Sequence, residues 1–237
     1  MSHLNSKLSK TTNDKRIFKI SGLASLIIVI CAFITMLVAF TLGAEPSTAS
    51  EYFNILNNDR LVGLLRLDFA SMVNVGCYIP LFYGVYVILK EENQDLAALS
   101  TIFILIGVVL WFSTHSALTM IQLSDQFAAA TTEAERSRLL AAGEAVLASD
   151  MYHSSAGAVG GILLLGGSLI LSGLMIKSDV FGKGTAIVGL IGNGTDLLRV
   201  LLNLFLPGNP AHMLMIIAGP LFLVWFLLLG KQLLQHS

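Results

Sequence analysis

Six apolar runs, at roughly 20–42, 62–89, 97–122, 152–176, 185–206 and 212–230, are separated by stretches where charged and turn-forming residues gather. Each holds about 19–28 residues, enough at 1.5 Å per residue to cross a hydrocarbon layer about 30 Å thick. Backbone polar groups find no water in that layer, so the runs predict helices. The pattern therefore predicts an all-α fold: a polytopic membrane helical bundle with six transmembrane helices. It forms one domain over residues 18–232, with a basic tail at 1–17 and a short tail at 233–237.

The first run follows Lys15, Arg16 and Lys19, as the core of a signal peptide would. Its apolar stretch is about 23 residues, beyond the 7–15 of a signal core, so it is expected to remain as the first span. Between the spans, residues 43–60 predict a short interfacial helix in "TASEYFNILNNDR". Residues 123–151 predict an extra amphipathic helix between spans three and four, opened by a capping box at Thr132 and Glu135 and running on toward span four. Span four carries Gly157 and Gly161, and Ala156 and Gly160, at the four-residue spacing that lets helices approach closely. Pro80 and Pro220 are expected to bend spans two and six.

Composition agrees with the pattern. Hydrophobic residues make up 55% of the 237 and charged residues 12%, against about 25% charged in an ordinary soluble domain. The net charge of −1 and the lack of a basic stripe argue against a nucleic-acid partner. Cys31 and Cys77 both fall in apolar runs, so no disulfide framework is expected. With the N-terminus inside, nine lysines and arginines fall in inner segments and three (Arg60, Arg136, Arg138) in outer ones. That bias predicts a multi-pass protein of the plasma or inner membrane with both termini cytoplasmic.

Charges inside spans are costly, about 2.5–3.5 kcal/mol each on insertion scales, and normally face the bundle and pair. Asn193, Asp196, Arg199 and Asn203 fall within about 120° of one another on span five. Asp68 on span two shares a face with Ser71 and roughly with Asn74 and Tyr78. Asp196 and Arg199 are three apart and can pair on their own helix; Asp68 and Arg199 lie at similar depth, about 12 Å below the outer boundary, so a bridge between spans two and five is geometrically reasonable as well. Arg66, off that face, is expected to snorkel to the headgroups. The candidate cavity in the outer half is thus lined by Asp68, Asn74, Asp196, Arg199, Asn203 and His115. No catalytic residue is assigned.

His115, His153 and His212, with Asp150, gather at the outer side and are the only candidate zinc ligands. They lack the paired HxxxH and the seven spans of the alkaline ceramidase and progestin-receptor-like hydrolases. No resident metal or cofactor is therefore expected. Nucleotide, zinc-protease and hydrolase motifs are missing, and the balance is against an enzyme. A three-plus-three inverted repeat fails, because the segment matching "RLD" of span two would be "GTAIVGL", which is uncharged.

"EYFNILNNDRLVGLLRLDF", "LFYGVYVILKEENQDLAAL", the Gly-rich span four, "IKSDVFGKGTAIVGLIG" and "LLNLFLPG" resemble an uncharacterised family of bacterial and archaeal six-span membrane proteins, a domain of unknown function. The resemblance covers about Arg16 to Gly208 and implies a fold without a reaction.

The expected function is binding or sensing of a small or lipid-like ligand in the outer polar cavity, with the bilayer as the standing partner. Transport is disfavoured by the lack of a repeat. The alternatives are a membrane-embedded, metal-dependent lipid hydrolase using the histidines and Asp150, and a structural or accessory subunit whose buried charges fix helix register. Oligomeric state is not set by the sequence.

Overall fold

The computed structural model describes residues 2–43, 46–150, 153–206 and 211–237, with side chains defined from 14 onward except at 211 and 212. All regular structure among them is helical: α1 Ser2–Thr41, α2 Ala49–Asn58, α3 Arg60–Arg66, α4 Phe69–Gly76, α5 Tyr78–Leu89, α6 Gln94–Thr114, α7 Ala117–Ala129, α8 Glu133–Ala148, α9 Ser155–Met175, α10 Lys183–Phe205 and α11 Ala211–Gln235. Six stretches are long and apolar enough to cross a membrane: Asp14–Thr41, Phe69–Leu89, Gln94–Ala129, Ser155–Met175, Lys183–Phe205 and Met213–Gln235.

Span two is shorter and more broken than its hydropathy suggests. Its helix stops at Arg66, restarts at Phe69 and is interrupted again at Cys77. The second break has a local cause. Pro80 lacks the N–H that would bond the Gly76 carbonyl, and it sits in the first turn of α5, where a proline is tolerated. α8 also ends before span four: Ser149, at φ −116°, closes it.

The chain forms two compact units. The first comprises Met1–Ile30, Asn74–Val108 and Gly161–Ser237, and its helices meet through small residues. A methyl at Gly22 would lie 2.6 Å from Leu234 Cγ, and one at Gly167 would lie 2.5 Å from the Ser100 carbonyl oxygen. Ser25 Oγ donates to the Phe226 carbonyl at 2.6 Å, and Ser21 Oγ to the Pro80 carbonyl at 2.7 Å. Between lipid-embedded helices there is little hydrophobic drive, so close backbone approach and such bonds hold the packing. The tight contact on α9 is at Gly167; Gly161, expected to make it, meets only Val200 at 3.9 Å.

The second unit, Cys31–Val73 and Val109–Gly160, is built differently. Its core is Ala49, Tyr52, Phe53, Leu56, Leu67, Ala117 and Met120, with Leu140 and Leu147 of α8 packed against it. Each fully buried large side chain here contributes about 1.5–3 kcal/mol. Arg136, Arg138 and Glu144 of α8 are exposed. Thr48 and Glu51 form a reciprocal capping box on α2, and Glu144 Oε1 accepts from the Ala49 N–H at 2.8 Å. The Thr132 hydroxyl accepts from the Glu135 N–H at 3.3 Å, as the sequence predicts.

The capping box carries a pH dependence. The Ser47 backbone N–H, bonded to Glu51 at 2.7 Å, leads the contacts that hold the Glu51 carboxyl below the usual glutamate range. A lowered folded-state value stabilises the folded form above the unfolded value, and that contribution is lost as pH falls through the lowered one. Acid should therefore fray the start of α2. Amide exchange at 49–53, corrected for intrinsic rate, should rise below about pH 4, and Glu51→Gln should flatten the profile.

Candidate functional site

In the second unit, two helix interruptions carry polar groups, one just before the Phe69–Leu89 span and one within the Gln94–Ala129 stretch. α3 stops at Leu67, and Asp68 takes φ +52°. This left-handed position follows a helix C-cap, where Gly or Asn is usual and Asp is tolerated. Its carbonyl then opens α4, accepting from Ser71 N at 2.9 Å and Ser71 Oγ at 2.7 Å. Its carboxylate accepts from Thr35 Oγ1 of α1 at 3.0 Å.

The other interruption is at His115 and Ser116. Ser113 and Thr114 turn their hydroxyls back to the Leu110 carbonyl, at 2.8 and 3.0 Å, competing with the helix ladder. His115 Nδ1 accepts from the Ala117 N–H at 3.3 Å, which places the neutral ring's proton on Nε2. That Nε2 is buried with no hydrogen-bond partner. The polar groups that bear on the ring are the Asp68 main chain and the Asp150 carboxylate. Trp111 lies against it with ring centroids 4.7 Å apart. Asp150 is itself engaged by His153, whose Nδ1 lies 2.8 Å from Oδ1.

Both interruptions belong to the second unit, and the Asp68 main chain bears on the His115 ring.

Arg66 finds its partners on the main chain at the end of α1. Its guanidinium donates to the Gly43 carbonyl at 3.0 Å and to the Leu42 carbonyl, capping the end of α1, where a cation also suits the helix dipole. Arg66→Met should leave these carbonyls to water at a cost of about 1 kcal/mol. Hydrogen exchange at 39–43 should accelerate while α8 is unchanged.

The remaining candidates lie in the first unit. Arg199 Nε donates to Asp196 Oδ1 at 2.5 Å on the same helix, with the two side chains 19% and 16% exposed. Asn193 is buried and donates to the Gly189 carbonyl at 2.8 Å. Asn74 Nδ2 reaches the Ile28 carbonyl at 3.5 Å, and its Oδ1 is buried without a partner. Asn203 is exposed; it stands one turn beyond the paired charges and leaves the inward stripe. The two ends of the expected Asp68–Arg199 bridge fall in different units, and each finds a partner within its own.

Among the described residues, no three His, Cys, Asp or Glu side chains form a group able to hold a metal. The His212 side chain lies outside the described residues. Sequence reasoning missed Thr35 and Trp111, which carry no charge signal, although Trp111 stands one helical turn before His115.

Spans, interruptions and buried polar groups of this kind define a multi-pass helical membrane protein. Residues 20–230 match the family described as a domain of unknown function, DUF4386, and the chain belongs to that family. No curated protein matches the chain, and no solved structure does.

Proposed function

We propose that the protein binds a small polar or lipid-like ligand at the outer membrane boundary, beside Asp68 and His115, without acting on it chemically. The observation that carries this reading is the pair of helix interruptions in one unit, with Asp68 at positive φ and its main chain bearing on the His115 ring. Irregular backbone at membrane depth is tolerated where it is buried in protein or lines a cavity. A left-handed non-glycine residue costs of order 1–3 kcal/mol and gathers at ligand sites. The chemistry is complementary: His115 Nε2–H is buried without a hydrogen-bond partner, and the Asp68 carboxylate, which accepts from Thr35, has lone pairs for a further donor or a cation. A headgroup or small solute carrying both fits that set.

Native mass spectrometry of the protein purified in mild detergent is the test. Wild type should retain a bound small molecule or lipid that Asp68→Asn and His115→Ala lose at unchanged melting temperature. An identical set of adducts on wild type and both variants would sink the reading.

A further inference from the structure

The surroundings of Asp68 and His115 are rich in acceptors and poor in cations. Neutral groups alone steady the Asp68 carboxylate: the Thr35 hydroxyl and the hydroxyl and N–H of Ser71. Arg66, two residues earlier, is committed to the Leu42 and Gly43 carbonyls. Among the described residues, no lysine or arginine pairs with Asp68. The other charge that bears on the His115 ring is negative as well, the Asp150 carboxylate. A carboxylate drawn out of water is ordinarily matched by a cation, and here the chain supplies none.

That imbalance sorts the ligands. A bare anion would find one neutral donor, the buried His115 Nε2–H, beside two negative charges, and repulsion would exceed the single hydrogen bond. A quaternary ammonium carries no N–H and is recognised by open aromatic faces. Trp111, the ring in this group, packs on His115 instead, with centroids 4.7 Å apart. A primary ammonium brings both the positive charge and the N–H donors that a carboxylate accepts. His115 Nε2–H then asks for an acceptor oxygen on the same molecule.

We propose that the ligand is a primary ammonium bearing an acceptor oxygen a few bonds away, with its N–H groups on the Asp68 carboxylate and its oxygen on His115 Nε2–H. The phosphoethanolamine headgroup of a membrane lipid and a soluble amino alcohol derivative share this chemistry. The inference rests on the binding reading above and fixes the charge that reading leaves open. Every residue it uses lies in the second unit.

The test titrates the delipidated full chain, in mild detergent, with phosphatidylethanolamine, phosphatidylcholine and phosphatidylglycerol of the same acyl chains, and with their deacylated soluble counterparts, read by native mass spectrometry. Wild type should bind the ethanolamine form about tenfold more tightly than the choline and glycerol forms, the size of one charge-assisted hydrogen bond. Asp68→Asn, which keeps the shape and the backbone, should bring the three within about twofold. Glu133→Gln, an exposed acid on α8, should keep the preference. Binding of the lipid alone assigns the bilayer as the source and binding of the deacylated form assigns a soluble amine; either supports the ammonium. A choline or glycerol form bound as tightly as the ethanolamine form, yet lost in Asp68→Asn, would overturn the ammonium and leave the binding reading standing. A preference that survives Asp68→Asn would overturn its assignment to that carboxylate. Identical adducts on wild type, Asp68→Asn and His115→Ala would end both.

Discussion

Asp68→Val should destabilise the protein by about 3 kcal/mol, whereas Asp68→Asn should be nearly neutral. The difference lies in the backbone. At φ +52° a β-branched side chain is a steric outlier, while Asn visits the left-handed region almost as readily as Asp. Asn also keeps an oxygen for the Thr35 hydroxyl, which Val removes at a further cost of about 1 kcal/mol. Asp68→Gly should sit near Asn, because relief of strain offsets loss of that bond. Asp68→Pro should fail to fold, since a ring fixed near −65° cannot occupy the site and the Asp68 N–H to Leu65 carbonyl bond at 3.2 Å is lost. Fluorescence-detected size-exclusion thermostability gives the order Asn and Gly above Val, with Pro lowest. A Val variant as stable as Asn would remove backbone strain from the account. Asn matters most for function, because it folds with the charge gone: a bound ligand kept by Asp68→Asn would make Asp68 a helix-break residue and nothing more.

Why some of this was legible in the sequence follows from the physics of each signal. Hydrophobic length marks spans, since lipid imposes about 20 apolar residues whatever the partners. Local capping is equally direct, so Thr132 with Glu135 marked the start of α8. Interruptions read poorly. "LVGLL" looks as apolar as the rest of span two, the charges of "RLDF" give no helix-stop signal of their own, and the stop at Leu67 depends on one residue adopting positive φ. "STHS" signals its break more clearly, through adjacent hydroxyls and an imidazole that can bond the main chain locally.

Pairing was harder still. The sequence left Arg199 two partners, Asp196 on its own helix and Asp68 on span two; the pair seen is with Asp196, three residues away and formed without any cost of assembly. Arg66 had the opposite fate. Its partners are main-chain atoms, the open carbonyls at the end of α1, which no sequence pattern marks. Asn193 and Asp196 share a face of α10 by their spacing alone.

The largest packing effect is expected at Gly189. A methyl there would fall inside the contact distance of both Ser172 Oγ on α9 and Trp225 Nε1 on α11. In an exposed helix, Gly→Ala gains about 1 kcal/mol from backbone entropy. Overpacking against two helices costs about 1–3 kcal/mol, and neither neighbour is the free end of a long chain, so the clash wins. Gly189→Ala should therefore lower the melting temperature by several degrees, and Gly189→Leu should prevent recovery of a monodisperse protein. Gly166→Ala on α9 supplies the opposite sign, because nothing lies within 4 Å of a methyl at that position; it should be neutral or stabilising. Ser172→Ala combined with Gly189→Ala should recover part of the loss by removing one of the two clashing atoms, and the recovery should be absent when Ser172→Ala is paired with Gly166→Ala. If Gly189→Ala and Gly166→Ala shift the melting temperature equally, then α9, α10 and α11 do not meet at Gly189.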